Sequence, residues 1–121
     1  MKKAALLLVL AFLSFSSYAQ LSKTKWKTTL QLENMTDVFF EFGSDSLKVF
    51  AAADTSLLET SLYKEKAGEV TFLKVSGISN CEGITATYKF EIKGDQMVLT
   101  VVSDQCTDRA GVLDKAVLIR I

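Results

Sequence analysis

Asn80-Cys-Glu-Gly-Ile-Thr-Ala-Thr-Tyr-Lys-Phe-Glu-Ile-Lys-Gly-Asp-Gln-Met-Val-Leu-Thr-Val-Val-Ser-Asp-Gln-Cys-Thr-Asp-Arg109 contains two alternating apolar runs hinged on Gly94-Asp95. A two-residue loop of this type between such runs predicts a β-hairpin. Counting back from the hinge sets Ile92 opposite Met97, Phe90 opposite Leu99, Tyr88 opposite Val101 and Ala86 opposite Ser103. That face is oily. The other carries Lys93 with Gln96, Glu91 with Val98 and Lys89 with Thr100, as expected of an antiparallel pair with one side on a core. The same register places Cys106 opposite Gly83, one diagonal step from Cys81, close enough for a disulfide at the hairpin mouth.

The rest of the chain repeats the pattern. Alternation predicts strands at 25–32 (Trp26, Thr28, Leu30 and Leu32 on one face), 38–42, 47–51, 58–63 and 70–75, then the hairpin strands 84–92 and 97–102, and a last strand at 117–121. Residues 32–37 read as a polar loop, 64–68 as a turn, and 104–115 as the longest connection, holding one helical turn from Thr107 or Asp108. Many short strands at about ten-residue spacing mean a barrel or a β-sandwich. The connections alternate between long and tight, and the two carrying cysteines both fall in the long set. An up-and-down meander puts all long loops at one end, so this alternation favours an eight-stranded antiparallel barrel over the sandwich. Closure of the last strand on the first also removes the exposed edges. Trp26 and Arg120 would then meet at the tight-turn end.

Residues 1–19 read as a signal peptide. Lys2-Lys3 is a charged n-region, 4–15 an apolar h-region and Ser17-Tyr18-Ala19 a small-x-small cleavage site. Residues 20–121 form one domain, exported to a periplasm or beyond the cell, with no membrane span after cleavage. Two cysteines in an exported chain predict one disulfide. The chain has no His and no CxxC, so neither a metal nor a redox cofactor is expected. Without leader lysines the charge is slightly acidic, and no basic patch with interleaved aromatics points to nucleic acid.

Thr24-Lys-Trp26 at the first strand and Arg120 on the last resemble the Gly-x-Trp and stacked Arg of lipocalins, with Thr24 where that pattern has Gly. The block Gly83…Tyr88-Lys-Phe…Gly94-Asp-Gln-Met-Val-Leu…Asp104-Gln-Cys-Thr-Asp-Arg109 is similar to the C-terminal half of small bacterial lipocalin-like proteins of the calycin superfamily. The resemblance implies a binding barrel for a small hydrophobic ligand. Phe40, Phe42, Phe72, Tyr88, Phe90 and Met97 are its candidate ligand-facing residues. The plainer alternative is that these rings fill a packed core, with Ala86 and the Ala51 to Ala53 run the places where space could open. Calycin-like barrels also include protease and lysozyme inhibitors, which implies a protein partner instead. Asp104, Asp108 and Arg109, on the loop pinned by Cys106, would then be the probe, unless Arg109 pairs locally as an exposed ion pair. An enzyme is not expected. With no His, acid–base work would fall to loop carboxylates such as Glu82 and Asp104.

Overall fold

Gly94 has φ 60° and Asp95 does not share a positive φ, the signature of the tight turn that matches strand twist when Gly stands first. From that turn the hairpin runs back in the expected register, Ile92 against Met97, Phe90 against Leu99 and Tyr88 against Val101. In the computed structural model, which describes Gln20 to Ile121, eight strands follow one another around the sheet. They are β1 Thr24–Gln31, β2 Met35–Phe42, β3 Ser46–Ala51, β4 Leu57–Lys66, β5 Glu69–Gly77, β6 Thr85–Lys93, β7 Gln96–Asp104 and β8 Val117–Arg120. Each pairs antiparallel with the next and β8 closes on β1, giving an up-and-down barrel and not a sandwich. The leader read at residues 1–19 lies outside the described residues. Among the described residues no helix is long and apolar enough to cross a membrane.

Closure is read directly at Trp26, which pairs with Arg120 across the β1–β8 seam. The Arg120 guanidinium carbon lies 4.8 Å from the fully buried indole centroid, within cation–π range. The indole N–H donates to Thr24 Oγ1 at 2.9 Å. Leu21, Trp26, Val38, Val70, Tyr88, Met97 and Leu118 are wholly removed from solvent.

Three expectations change. β2 starts at Met35, so the connection Leu32–Asn34 is as short as Gly43–Asp45 and the long–short alternation fails there. Polar Asp37 is tolerated in that strand because Thr29, directly opposite, donates its hydroxyl to it at 2.6 Å. β4 runs to Lys66, leaving a two-residue turn in which Ala67 and Gly68 both take positive φ. The last connection holds two turns of helix, α1 Thr107–Leu113, because Arg109 and Leu113 fall on one face and are both buried.

One feature of the ladder was not expected. The register slips by one residue at Leu58 on β4, Val75 on β5 and Val102 on β7, all toward the loop end that holds the cysteines. Such bulges bend strands at barrel rims. Past Val102, Ala86 faces Asp104 and no longer Ser103.

Candidate functional site

The loop end of the barrel is an open cup of about 970 Å³. Leu30, Phe40, Leu47, Val49, Leu58 and Val112 supply its apolar wall. Glu59, Ser61, Ser79 and Arg109 supply the polar part.

The polar wall is built from two ion-pair clusters. In the first, the bulge at Val102 turns Asp104 inward, where its side chain is 0% exposed, and α1 brings Arg109 over it at 7%. Arg109 Nε donates to Asp104 Oδ2 at 2.8 Å and Nη2 donates to Oδ1 at 2.9 Å, a fork-on-carboxylate pair. Tyr88 Oη donates to Asp104 Oδ2 at 2.7 Å and the Cys106 N–H to Oδ1 at 2.9 Å. Nη2 also reaches the Ile84 carbonyl at 2.9 Å. Nη1 is buried with no partner among the described residues. An unmet buried donor of this kind costs about 1–3 kcal/mol.

In the second cluster, Lys74 follows Val70 and Phe72 on the inward face of β5, its side chain 1% exposed. Its Nζ donates to Glu82 Oε1 at 2.7 Å and to the Ser79 carbonyl, and lies 3.9 Å from Glu59 Oε1. Ser79 donates to both oxygens of Glu59. Gly77 permits this closeness. At its φ of 131° a Cβ would come within 2.2 Å of Glu59 Oε1 and 2.5 Å of the Leu58 carbonyl, so any side chain would push the Glu59 corner apart. The Cys81–Cys106 disulfide, with Cα atoms 5.6 Å apart, ties the β5–β6 loop to the start of α1 and so joins the two clusters. Its sequence separation of 25 corresponds to about 3–4 kcal/mol of chain-entropy stabilisation.

No family model, curated protein or solved structure matches this chain.

The sequence-derived candidates distribute unevenly over this site. All six proposed ligand-facing residues are buried in the barrel interior, but only Phe40 reaches the cup wall. Phe42, Phe72, Tyr88, Phe90 and Met97 pack in the core, with Phe42 edge-on to Tyr63 and Phe72 tilted against Tyr88. The Ala51 to Ala53 run borders a separate hollow of about 460 Å³ beside Met35 to Asp37. Asp104 and Arg109 form a buried pair where an exposed one was expected, because the bulge reverses the direction of Asp104; Asp108 alone of the three is exposed. Glu82 and Asp104 are engaged by different cations, Lys74 and Arg109. Lys74, Glu59 and Ser79 were not foreseen, although alternation from Phe72 already points Lys74 inward.

Burial would raise the Asp104 carboxyl, but the donors from Arg109, Tyr88 and Cys106 outweigh it and hold it below its ordinary value. Burial pushes the Tyr88 hydroxyl up, and its hydrogen bond to Asp104 pushes it further. A carboxyl lowered on folding contributes stability above its unfolded value and loses it as pH falls through the folded one; a raised phenol contributes below its unfolded value and loses it as pH rises. Urea midpoints should therefore be flat near neutrality, fall below about pH 4 and fall again above about pH 10. Tyr88→Phe should shrink the alkaline fall, with Tyr63, also raised by burial, carrying the remainder. An unchanged alkaline limb in Tyr88→Phe would remove this assignment.

Proposed function

We propose that this chain is an exported lipocalin-like binding barrel that holds a small, mostly apolar molecule in the cup. The observation carrying this reading is the combination found there: an apolar wall from Leu30 to Val112, and beside it a buried guanidinium with one nitrogen unmet. Because Asp104 already balances the Arg109 charge and the unmet nitrogen is itself closed off from the cup, the occupant this wall suits is a neutral, mostly apolar body. Sites of this type are concave and apolar with few placed polar groups. The disulfide fits an oxidising compartment and supports the export reading. The carboxylates Asp104, Glu59 and Glu82 are all engaged by cations or hydroxyls, which fits a binder better than an enzyme. A second reading, a protein-binding module such as a hydrolase inhibitor, draws on the exposed Leu57, Val75 and Ile78 beside the pinned loop.

Native mass spectrometry of the mature protein from its own compartment, disulfide intact, should show a retained small mass. Anilinonaphthalene sulfonate should also bind at one saturable site, and Val49→Trp, which fills the cup, should abolish that binding while leaving the circular dichroism unchanged. A bare chain whose probe signal ignores Val49→Trp would overturn the cup and turn attention to protein partners.

A further inference from the structure

We propose that the mature N-terminus, Gln20, locks its α-ammonium onto Glu65 and so closes the tight-turn end of the barrel. This rests on the export reading, with cleavage after Ala19. The Gln20 backbone nitrogen lies 3.0 and 2.9 Å from the two carboxylate oxygens of Glu65, and the Leu21 nitrogen lies 2.9 Å from the first of them. While the Ala19–Gln20 peptide bond is intact, that Gln20 nitrogen has a single hydrogen for two converging oxygens. Hydrolysis of the bond leaves a carboxylate on Ala19 and a protonated amine on Gln20, with three hydrogens and a positive charge. The acceptor fork of Glu65 suits the product of the cut better than its substrate.

The segment around this contact is rigidly placed. Leu21 is 0% exposed, its carbonyl accepts from the Thr24 N–H, and the Lys23 N–H donates to Phe42 O at 2.9 Å. Glu65 stands near the end of β4 and Thr24 starts β1, so the lock spans the barrel floor between strands that are not neighbours. An order of events follows. A peptidase needs extended chain on both sides of the bond it cuts, and Leu21, two residues beyond that bond, is inside the core. Cleavage therefore precedes folding, and folding then seals the new end.

Sealing has a chemical result. A free N-terminal glutamine cyclises when its α-nitrogen lone pair attacks its own side-chain Cδ: a C–N bond forms, ammonia leaves, and a neutral lactam replaces the charged amine. The protonated amine has no lone pair to give. A carboxylate at hydrogen-bond distance favours the protonated form, so Glu65 holds Gln20 in its uncyclised state.

The test compares wild type with Glu65→Gln, each expressed with its leader, recovered from the export compartment and followed by intact mass at neutral pH. Wild type should begin at Gln20 and lose ammonia several-fold more slowly than Glu65→Gln, because less of its amine carries a free lone pair. Glu65→Asp, which keeps the charge on a shorter arm, should fall between them and serves if Glu65→Gln does not fold. A chain beginning at Gln20 that cyclises equally fast in wild type and variant would overturn the lock and leave the export reading standing. A mature chain beginning at any other residue would overturn the lock and the cleavage position, and one that keeps residues 1–19 would overturn the export reading as well.

Discussion

Arg109→Leu should lower the unfolding free energy by about 3–5 kcal/mol, measured by guanidinium titration at pH 7 with the disulfide intact. The loss does not come mainly from the attraction removed. It comes from Asp104, which would remain at 0% exposure with only the Tyr88 hydroxyl and the Cys106 N–H to support its charge. Removing both partners is a different experiment. Arg109→Leu with Asp104→Leu should recover much of the loss, since a buried pair replaced by apolar groups of similar volume is often neutral or stabilising. The coupling between the two positions then measures the pair itself. A single-variant loss under about 1 kcal/mol would mean that water reaches Asp104 and that the mouth is wetter than this geometry.

Phe90→Ala should cost about 3–5 kcal/mol in the same titration, the cost of deleting a large ring from a packed layer. Phe90 is 4% exposed, sits opposite Leu99 and lies off the cup wall. Stability should therefore drop while the variant, once folded, still binds the anilinonaphthalene probe. A cost below about 1 kcal/mol would contradict its inward face. For a domain of this size the expected loss is a large part of a total of about 5–15 kcal/mol.

The hairpin was legible because Gly94-Asp95 sets the phase of both strands at once, and a side-chain period of two carries that phase outward without error until something breaks it. The disulfide was legible from the two cysteines at the hairpin mouth, although the count to Cys106 runs past the Val102 slip and is one residue off there. Trp26 and Arg120 were legible for another reason: closing eight strands leaves those two positions nowhere else to meet. What broke the phase was Val102, and nothing in Val101-Val102-Ser103 marks which residue will be left unpaired. The direction of Asp104, and with it the burial of Arg109, was thus out of reach of alternation. α1 was underestimated because Gly111 and the short span give little helix propensity; burial of Arg109 and Leu113 holds it instead. The choice between a filled and a hollow interior depended on where α1 and the β5–β6 loop sit, which strand patterning does not encode. The answer is divided along the axis, with Phe42, Phe72, Tyr88, Phe90 and Met97 packed and the space left above Phe40.

The bulge at Val102 also makes the mouth sensitive to a single codon. Inserting one residue after Val102 would leave the composition almost untouched and turn every later residue of β7 to face the other way. Ser103 would take the inward place, Asp104 would stand in water, and Arg109 would lose its counter-charge while α1 still pressed it into the barrel. Relatives of this protein that are longer here by one residue would share its fold and carry a different kind of mouth.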